Sequence, residues 1–230
     1  MTDRLSVPIA IVIAGGLIAG ALYYSNLKIG SQPVVKTIPA ADSGIAMKPV
    51  TSADHILGNP AADILMVEYS DTECPFCKQF HPTLQRIMNE YGADGKVAWI
   101  YRNFPIAELH SKAPKEAEAL ECAALLGGNG KFWEYTNMIY DVTTSNNTLD
   151  PGQLPVIAGK IGLDVKAFNS CLSSGKFTAK VRADYNDAVA TGGRGTPNTI
   201  LVAKNGTKVT IQGAQPYETV KANIDALLQK

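Results

Sequence analysis

The sequence predicts an α/β domain in the order β-α-β, a helical insert, then β-β-α, carried behind an apolar N-terminal segment. Three observations predict it. Ile64–Tyr69 is a short apolar run of strand length, and Phe80, Leu84, Ile87, Met88 and Tyr91 follow it at the spacing of one helix face. A long stretch, about 107–191, is patterned throughout as helix. Near the end, Thr199–Ala203 and Val209–Gln212 read as strands flanking Asn205-Gly206, a strong hairpin-turn signal.

Taken in order, Val7–Tyr24 carries no charge and is built from Val, Ile, Ala, Gly, Leu and Tyr among a few others. As helix it would span about 27 Å, near the hydrocarbon thickness of a bilayer. A cleaved signal peptide is the rival, with Ala19-Gly20-Ala21 as the cleavage site. That site lies inside the apolar run, and the run exceeds the usual signal core, so an uncleaved anchor over residues 1–25 is expected. Residues 26–53 are rich in Pro, Ser, Ala, Gly and Lys and read as an extracytoplasmic linker. A strand packed on the domain, seeded by Val34-Val35, is the alternative there. Residues 54–230 form the domain, and Asp54–Pro60 reads as a turn leading into it.

Gly92–Gly95 ends the first helix, and Val97–Tyr101 is the next strand. Strand, helix, strand implies parallel pairing with a right-handed crossover. Helices follow at Lys112–Leu126, Phe132–Tyr140, Leu154–Ile161, Val165–Leu172 and Phe177–Ala190, separated by Gly and by Asp caps. Tyr217–Leu228 closes the chain. Lys and Arg number 21 against 21 Asp and Glu, which gives no footing for nucleic acid, and a 46% apolar fraction is ample for a core.

Cys74-Pro75-Phe76-Cys77 falls where the first strand turns into the first helix. A helix N-terminus favours negative charge and offers unpaired backbone N–H groups, so a thiolate is favoured there. Pro75 loses nothing at the first helical turn. With two residues between them, the sulfurs are within bonding reach. Cys74 is read as the exposed attacking sulfur and Cys77 as the shielded, resolving one. Half of a zinc site, completed by Cys122, Cys171, His81 or His110, and an inert structural pair are the competing readings. No second Cys-x-x-Cys or His-x-x-x-His supports zinc, and no metal or other cofactor is expected.

At this point the chain resembles the DsbA-like thiol-disulfide oxidoreductases, a thioredoxin fold interrupted by a helical domain. The resemblance covers roughly Asp54–Lys230. It rests on Cys74–Cys77 at the strand-helix junction, Tyr101-Arg102-Asn103-Phe104-Pro105, Phe132-Trp133-Glu134 and Gly195-Thr196-Pro197 before the hairpin. It implies that Pro197 follows a cis bond and faces the cysteines. It also implies that Thr196 and Pro197, with Pro75 and Phe76, receive an extended client chain. Glu68, six residues before Cys74, matches the family's buried acid, which exchanges a proton with the resolving cysteine. A strand-edge glutamate touching water is the alternative.

Cys122 and Cys171 both fall in the helical insert. In an oxidising compartment they are expected to form a structural disulfide, with two buried free thiols as the alternative. Asp71 and Glu73 beside Cys74 would raise its pKa, and Lys78 would lower it. His81 is read as a surface residue. Phe76 stands where some relatives carry His, which weakens the expectation of a strong oxidant.

The expected protein is therefore a single-pass protein of the cytoplasmic membrane, its domain facing the periplasm or cell exterior. It would insert disulfides into exported, cysteine-containing proteins and be reoxidised by a membrane partner of the DsbB type. The linker is too short to hold a dimerisation domain, so a monomer is expected. The alternatives are a reductase or isomerase kept reduced by a membrane partner, and a non-catalytic binding module.

Overall fold

The computed structural model describes residues 44–229. The expected anchor, 1–25, and the linker as far as residue 43 lie outside them. Among the described residues no helix is long and apolar enough to cross a membrane.

The strands are β1 (His55–Leu57), β2 (Ile64–Ser70), β3 (Val97–Asn103), β4 (Asn198–Ala203) and β5 (Lys208–Gln212). They form one mixed sheet in the order β1-β3-β2-β4-β5. β2 and β3 run parallel, from Ile64 opposite Val97 to Ser70 opposite Asn103. β4 lies antiparallel on the other side of β2, and the Asn205-Gly206 turn brings β5 back beside it. β2 is thus a central strand, buried along nearly all its length.

The segment around β1 departs from the sequence reading. Asp54–Pro60 was expected to be a turn, yet His55–Leu57 pairs antiparallel with Trp99–Tyr101. Three residues are too few for a legible alternation, and Gly58-Asn59-Pro60 directly after them masks the strand.

The helices are α1 (Pro75–Ile87), α2 (Ala113–Val142), α3 (Gln153–Lys160), α4 (Val165–Ser173), α5 (Thr178–Ala190) and α6 (Tyr217–Leu228). α1 runs on into a π-helical turn, Met88–Gly92, which carries Met88 and Tyr91 inward with Phe80, Leu84 and Ile87. α2 is broken at Gly128, whose φ of 73° lies in the left-handed region that glycine tolerates. The break separates the two helices that the hydrophobic pattern predicts.

Alternation along the strands gives the sheet two apolar faces. Ile64, Met66, Trp99 and Tyr101 face a core shared with α1, α6 and the helical insert. Val67, Tyr69, Ala98 and Ile100 face a second core with Ala188 of α5, onto which Ile45, Met47 and Val50 also pack. The end of the expected linker therefore lies against the domain. It is held by Arg102, whose guanidinium donates to the carbonyls of Lys48 and Pro49, both at 3.1 Å. Arg102 is itself buried and is paired with Asp54 at 2.8 Å and Asp187 at 2.7 Å, as a buried charge must be. Cys122 of α2 and Cys171 of α4 are joined as a disulfide across 49 residues of sequence.

Candidate active site

Cys74 stands at the N-cap of α1 with extended backbone (φ −77°, ψ 121°), and Pro75 occupies the first turn. The Lys78 N–H donates to the Cys74 carbonyl at 3.1 Å, so the residue's own acceptor already belongs to the helix. Its side chain makes no cap hydrogen bond. The sulfur is therefore left beside the first N–H groups of the helix, those of Phe76 and Cys77, which have no carbonyl partner within the helix.

The Thr196–Pro197 bend, joined by a cis bond, closes over this corner. Cys74 Sγ donates to the Thr196 carbonyl at 3.4 Å. The Thr196 hydroxyl is buried without a hydrogen-bond partner, a free donor close to the sulfur. Gly213 N–H donates to the Pro197 carbonyl at 2.9 Å and ties the bend to the end of β5. An open cleft of about 170 Å³, lined by Arg194, Gly195, Thr196 and Pro197, runs beside it. Phe76, between the cysteines, is 59% exposed.

The two sulfurs are more alike in exposure than the sequence suggests. Cys74 is 5% exposed and Cys77 0%, because the Thr196 segment covers much of Cys74. Their chemistry is nonetheless divided. The Cys74 thiol is lowered to about 6, first by the hydrogen bond from Cys77, against burial, and then by Thr196 and the N–H groups of Cys77 and Phe76. Burial pushes the Cys77 thiol well up, and the neighbouring Cys74 sulfur adds to it.

Asp71 and Glu73 do not act on Cys74 as their sequence positions imply. Asp71 Oδ1 accepts from the Glu73 N–H at 2.8 Å, while Oδ2 accepts from Ile106 N–H at 2.8 Å and meets His110 Nδ1 at 2.9 Å. The Glu73 carboxylate accepts from the Asn147 N–H at 2.8 Å and the Leu149 N–H at 3.2 Å. Both are turned from the sulfur and serve the loops beneath it. The neighbour that feels them is Glu116, raised to about 8, first by burial and then by Glu73, over an opposing bond from the Thr72 hydroxyl. The Lys78 ammonium is drawn to the carbonyls of Thr143 and Asp141.

Glu68 is fully buried in the central strand, which excludes the strand-edge alternative. Oε1 accepts from Ser70 Oγ at 2.8 Å and Oε2 from Trp99 Nε1 at 2.9 Å. Burial raises its carboxyl to about 7 against both bonds. The folded protein thus holds a proton between about pH 4.5 and 7 that the unfolded chain has released. Stability falls as pH rises through that window, by about 3 kcal/mol in all. Glu68→Gln, which cannot ionise, should gain that amount on the reduced wild type between pH 4.5 and pH 8. Urea unfolding at the two pH values measures it, and parallel pH curves for the two proteins would contradict it.

His81 is a correction of the same kind. It is 4% exposed, with Nε2 at 2.7 Å from Asn137 Oδ1 and its ring packed on Trp99 and Tyr140. Burial lowers its imidazole to about 4, outweighing the Asn137 bond. It is a neutral core residue of α1, one turn after Cys77. Among the described residues no group of His, Cys, Asp and Glu side chains converges to hold a metal ion.

Sequence reasoning did not single out Ser70, Trp99 or Tyr140, which surround Glu68. The available signal was alternation: Glu68 and Ser70 share one face of β2, and Trp99 and Tyr101 share that face on β3.

A family profile described as Thioredoxin matches residues 50–226. Among curated proteins, the Na(+)/H(+) antiporter NhaA 1 of Mycolicibacterium gilvum is 31% identical over 153 residues, 66% of this chain and 24% of that protein. The antiporter NhaA 3 of Salinispora tropica is 30% identical over 144 residues, 63% of this chain and 21% of that protein. The chain thus spans less than a quarter of the length of these relatives. Among solved structures, DsbA2 of Pseudomonas aeruginosa superposes with a TM-score of 0.68 at 26% identity, covering 79% of this chain and 98% of that one. BdbD of Bacillus subtilis in its oxidised form gives 0.71 at 19% identity, covering 81% and 98%, a likeness of fold alone. With the cysteine pair at the strand-helix corner opposite a cis proline, the chain belongs to the thioredoxin family, and its domain is similar to that of DsbA2.

Proposed function

We propose that the protein is an oxidant of protein thiols that inserts disulfides into exported proteins through Cys74 and Cys77. The observation that carries this reading is the placement of a low-pKa Cys74 sulfur 3.4 Å from the carbonyl of Thr196, a residue that itself lines an open cleft. A thiol with a midpoint near 6 is roughly ten-to-one thiolate at pH 7. That stabilises the dithiol form relative to the disulfide, so the disulfide is the more ready to accept electrons.

An extended client segment lies along the Thr196–Pro197 edge, and its thiolate attacks Cys74 Sγ. The sulfur–sulfur bond breaks, and Cys77 leaves with the electron pair. A second client thiolate then attacks the mixed disulfide, releasing oxidised client and the Cys74 thiolate. A membrane oxidant of the DsbB type restores the pair. In this reading the apolar run 7–24 anchors a monomer in the cytoplasmic membrane, with the domain on the periplasmic or outer side.

A second reading is favoured by the antiporter relatives: a domain of this kind acting on the cysteines of a membrane transport protein, as a reductase or isomerase. Equilibration with glutathione redox buffers, scored by the fraction of Cys74–Cys77 disulfide, separates the two. The oxidase reading predicts a potential above about −200 mV, with refolding of a reduced, multi-cysteine client by the disulfide form. A potential near about −270 mV would overturn it in favour of a reductase.

A further inference from the structure

We propose that Arg194 selects among clients: its guanidinium receives a carboxylate side chain within about two residues of the client's reacting cysteine. This selection rests on the exchange chemistry proposed above.

The loop before the cis bond is fixed on both sides of Arg194. Gly193 N–H donates to the Ala188 carbonyl at 3.1 Å, at the end of α5. A Cβ on Gly193 would lie 2.8 Å from that carbonyl oxygen, so the close approach needs glycine. Asn198 Nδ2 donates to Thr191 Oγ1 at 3.2 Å and joins the start of β4 to the same helix end. On the other side, the Thr196 carbonyl accepts from Cys74 Sγ at 3.4 Å. Arg194 is two residues from Thr196, so their Cα atoms are at most about 7 Å apart. Arg194 is therefore held close to the backbone that meets the reactive sulfur.

Its charge is available. Arg102 is buried and paired with Asp54 and Asp187, and Arg86 lies over the Tyr217 ring with Cζ 3.5 Å from the centroid. Arg194 is exposed and, among the described residues, has no ion-pair or hydrogen-bond partner for its side chain. It lines the open cleft of about 170 Å³ with Thr196, and every other residue lining that cleft is uncharged. The acids beside Cys74 in sequence do not compete for it. Asp71 is 1% exposed and Glu73 0%, and their carboxylates are captured by Ile106, His110, Asn147 and Leu149.

An extended client advances about 3.3 Å per residue. With its cysteine level with Thr196, the client residue two positions away lies level with Arg194. A guanidinium fork pairs a carboxylate there through two parallel N–H···O bonds and repels an ammonium. The exchange itself is unchanged. The client thiolate bonds to Cys74 Sγ, Cys77 leaves with the electron pair and takes a proton, and a second thiolate releases the oxidised client. Arg194 exchanges no proton or electron and acts on the encounter that precedes attack.

The test is reduction of the disulfide form by an excess of short blocked glycine peptides with one central cysteine. Glu or Lys stands two positions before or after that cysteine. Each rate is divided by the same peptide's rate with dithiodipyridine, which removes differences in thiol reactivity. The Glu-to-Lys ratio is then read within each protein, so altered folding or Cys74 reactivity cancels. For wild type at low ionic strength the ratio should be about fivefold for at least one of the two positions, and high salt should shrink it. Arg194→Gln should bring it to about one, Arg194→Glu should invert it, and Arg194→Lys should keep part of it. A wild-type ratio of about one, or an unchanged ratio in Arg194→Gln, would overturn the proposal. A reductase-like potential in glutathione buffers with the charge preference intact would overturn the oxidase reading and leave Arg194 in this role. An oxidant's potential with no charge preference would do the reverse.

Discussion

Cys77→Ser should stop turnover and leave the protein covalently held by its clients. The serine keeps a hydroxyl near Cys74, so the hydrogen bond that lowers the Cys74 thiol has a substitute. What is lost is the second sulfur. Cys74 can still attack an oxidised partner and form a mixed disulfide, but nothing inside the protein can resolve it. Catalytic exchange should fall by at least about 10³-fold, as expected when one member of a two-residue machine is removed. Non-reducing electrophoresis and mass spectrometry of the variant should show adducts at Cys74. Cys74→Ser should show none, because Cys77 is fully buried and its thiol is raised. Equal trapping by the two variants would mean that the roles of the sulfurs are wrongly assigned.

The second large effect concerns stability. Replacing both Cys122 and Cys171 by Ala should cost about 4 kcal/mol, the chain-entropy value for a loop of this size. The separation of 49 residues spans the break at Gly128, α3 and most of α4, so the cross-link closes the helical insert on itself. Such a loss is a large share of the stability of an ordinary domain. In urea it should move the unfolding midpoint down by about 1 to 2 M at a slope of 2 to 3 kcal/mol/M. An unchanged midpoint would show that the bond constrains nothing the folded helices do not already hold. The pair should leave dithiothreitol reduction of Cys74–Cys77 intact below the new midpoint, since neither residue contacts the sulfurs of the exchange site through any hydrogen bond in the structure.

The parts legible in the sequence are those set by local chemistry. The Ile64–Tyr69 run, the helical spacing from Phe80 to Tyr91 and the Asn205-Gly206 turn each carry their structure in neighbouring residues. So does the break before Phe132, where Gly127-Gly128 sits between two apolar stripes. β1 escaped because three residues cannot show a period and its partners on β3 lie more than 40 positions along the chain, from Leu57 opposite Trp99 to His55 opposite Tyr101.

The site divides along the same line. The corner that seats Cys74 is local, and so is the helix end that favours its thiolate. The direction of a side chain is not. Asp71 and Glu73 are next to Cys74 in sequence, yet their carboxylates are captured by Ile106, His110, Asn147 and Leu149, from loops far along the chain. His81 looks polar and exposed until Asn137, Trp99 and Tyr140 close around it. The surroundings of Glu68 are likewise assembled from β2, β3 and α2, and only the alternation of the strands hinted at Ser70 and Trp99.

The most direct measurement is the pH dependence of alkylation of the reduced protein by iodoacetamide, with the modified residue located by peptide mapping. Cys74 should react with a midpoint near 6, and Cys77 should stay unmodified across the same range. A midpoint at the ordinary thiol value of about 8.5, or modification of Cys77 ahead of Cys74, would contradict a thiolate seated at the strand-helix corner.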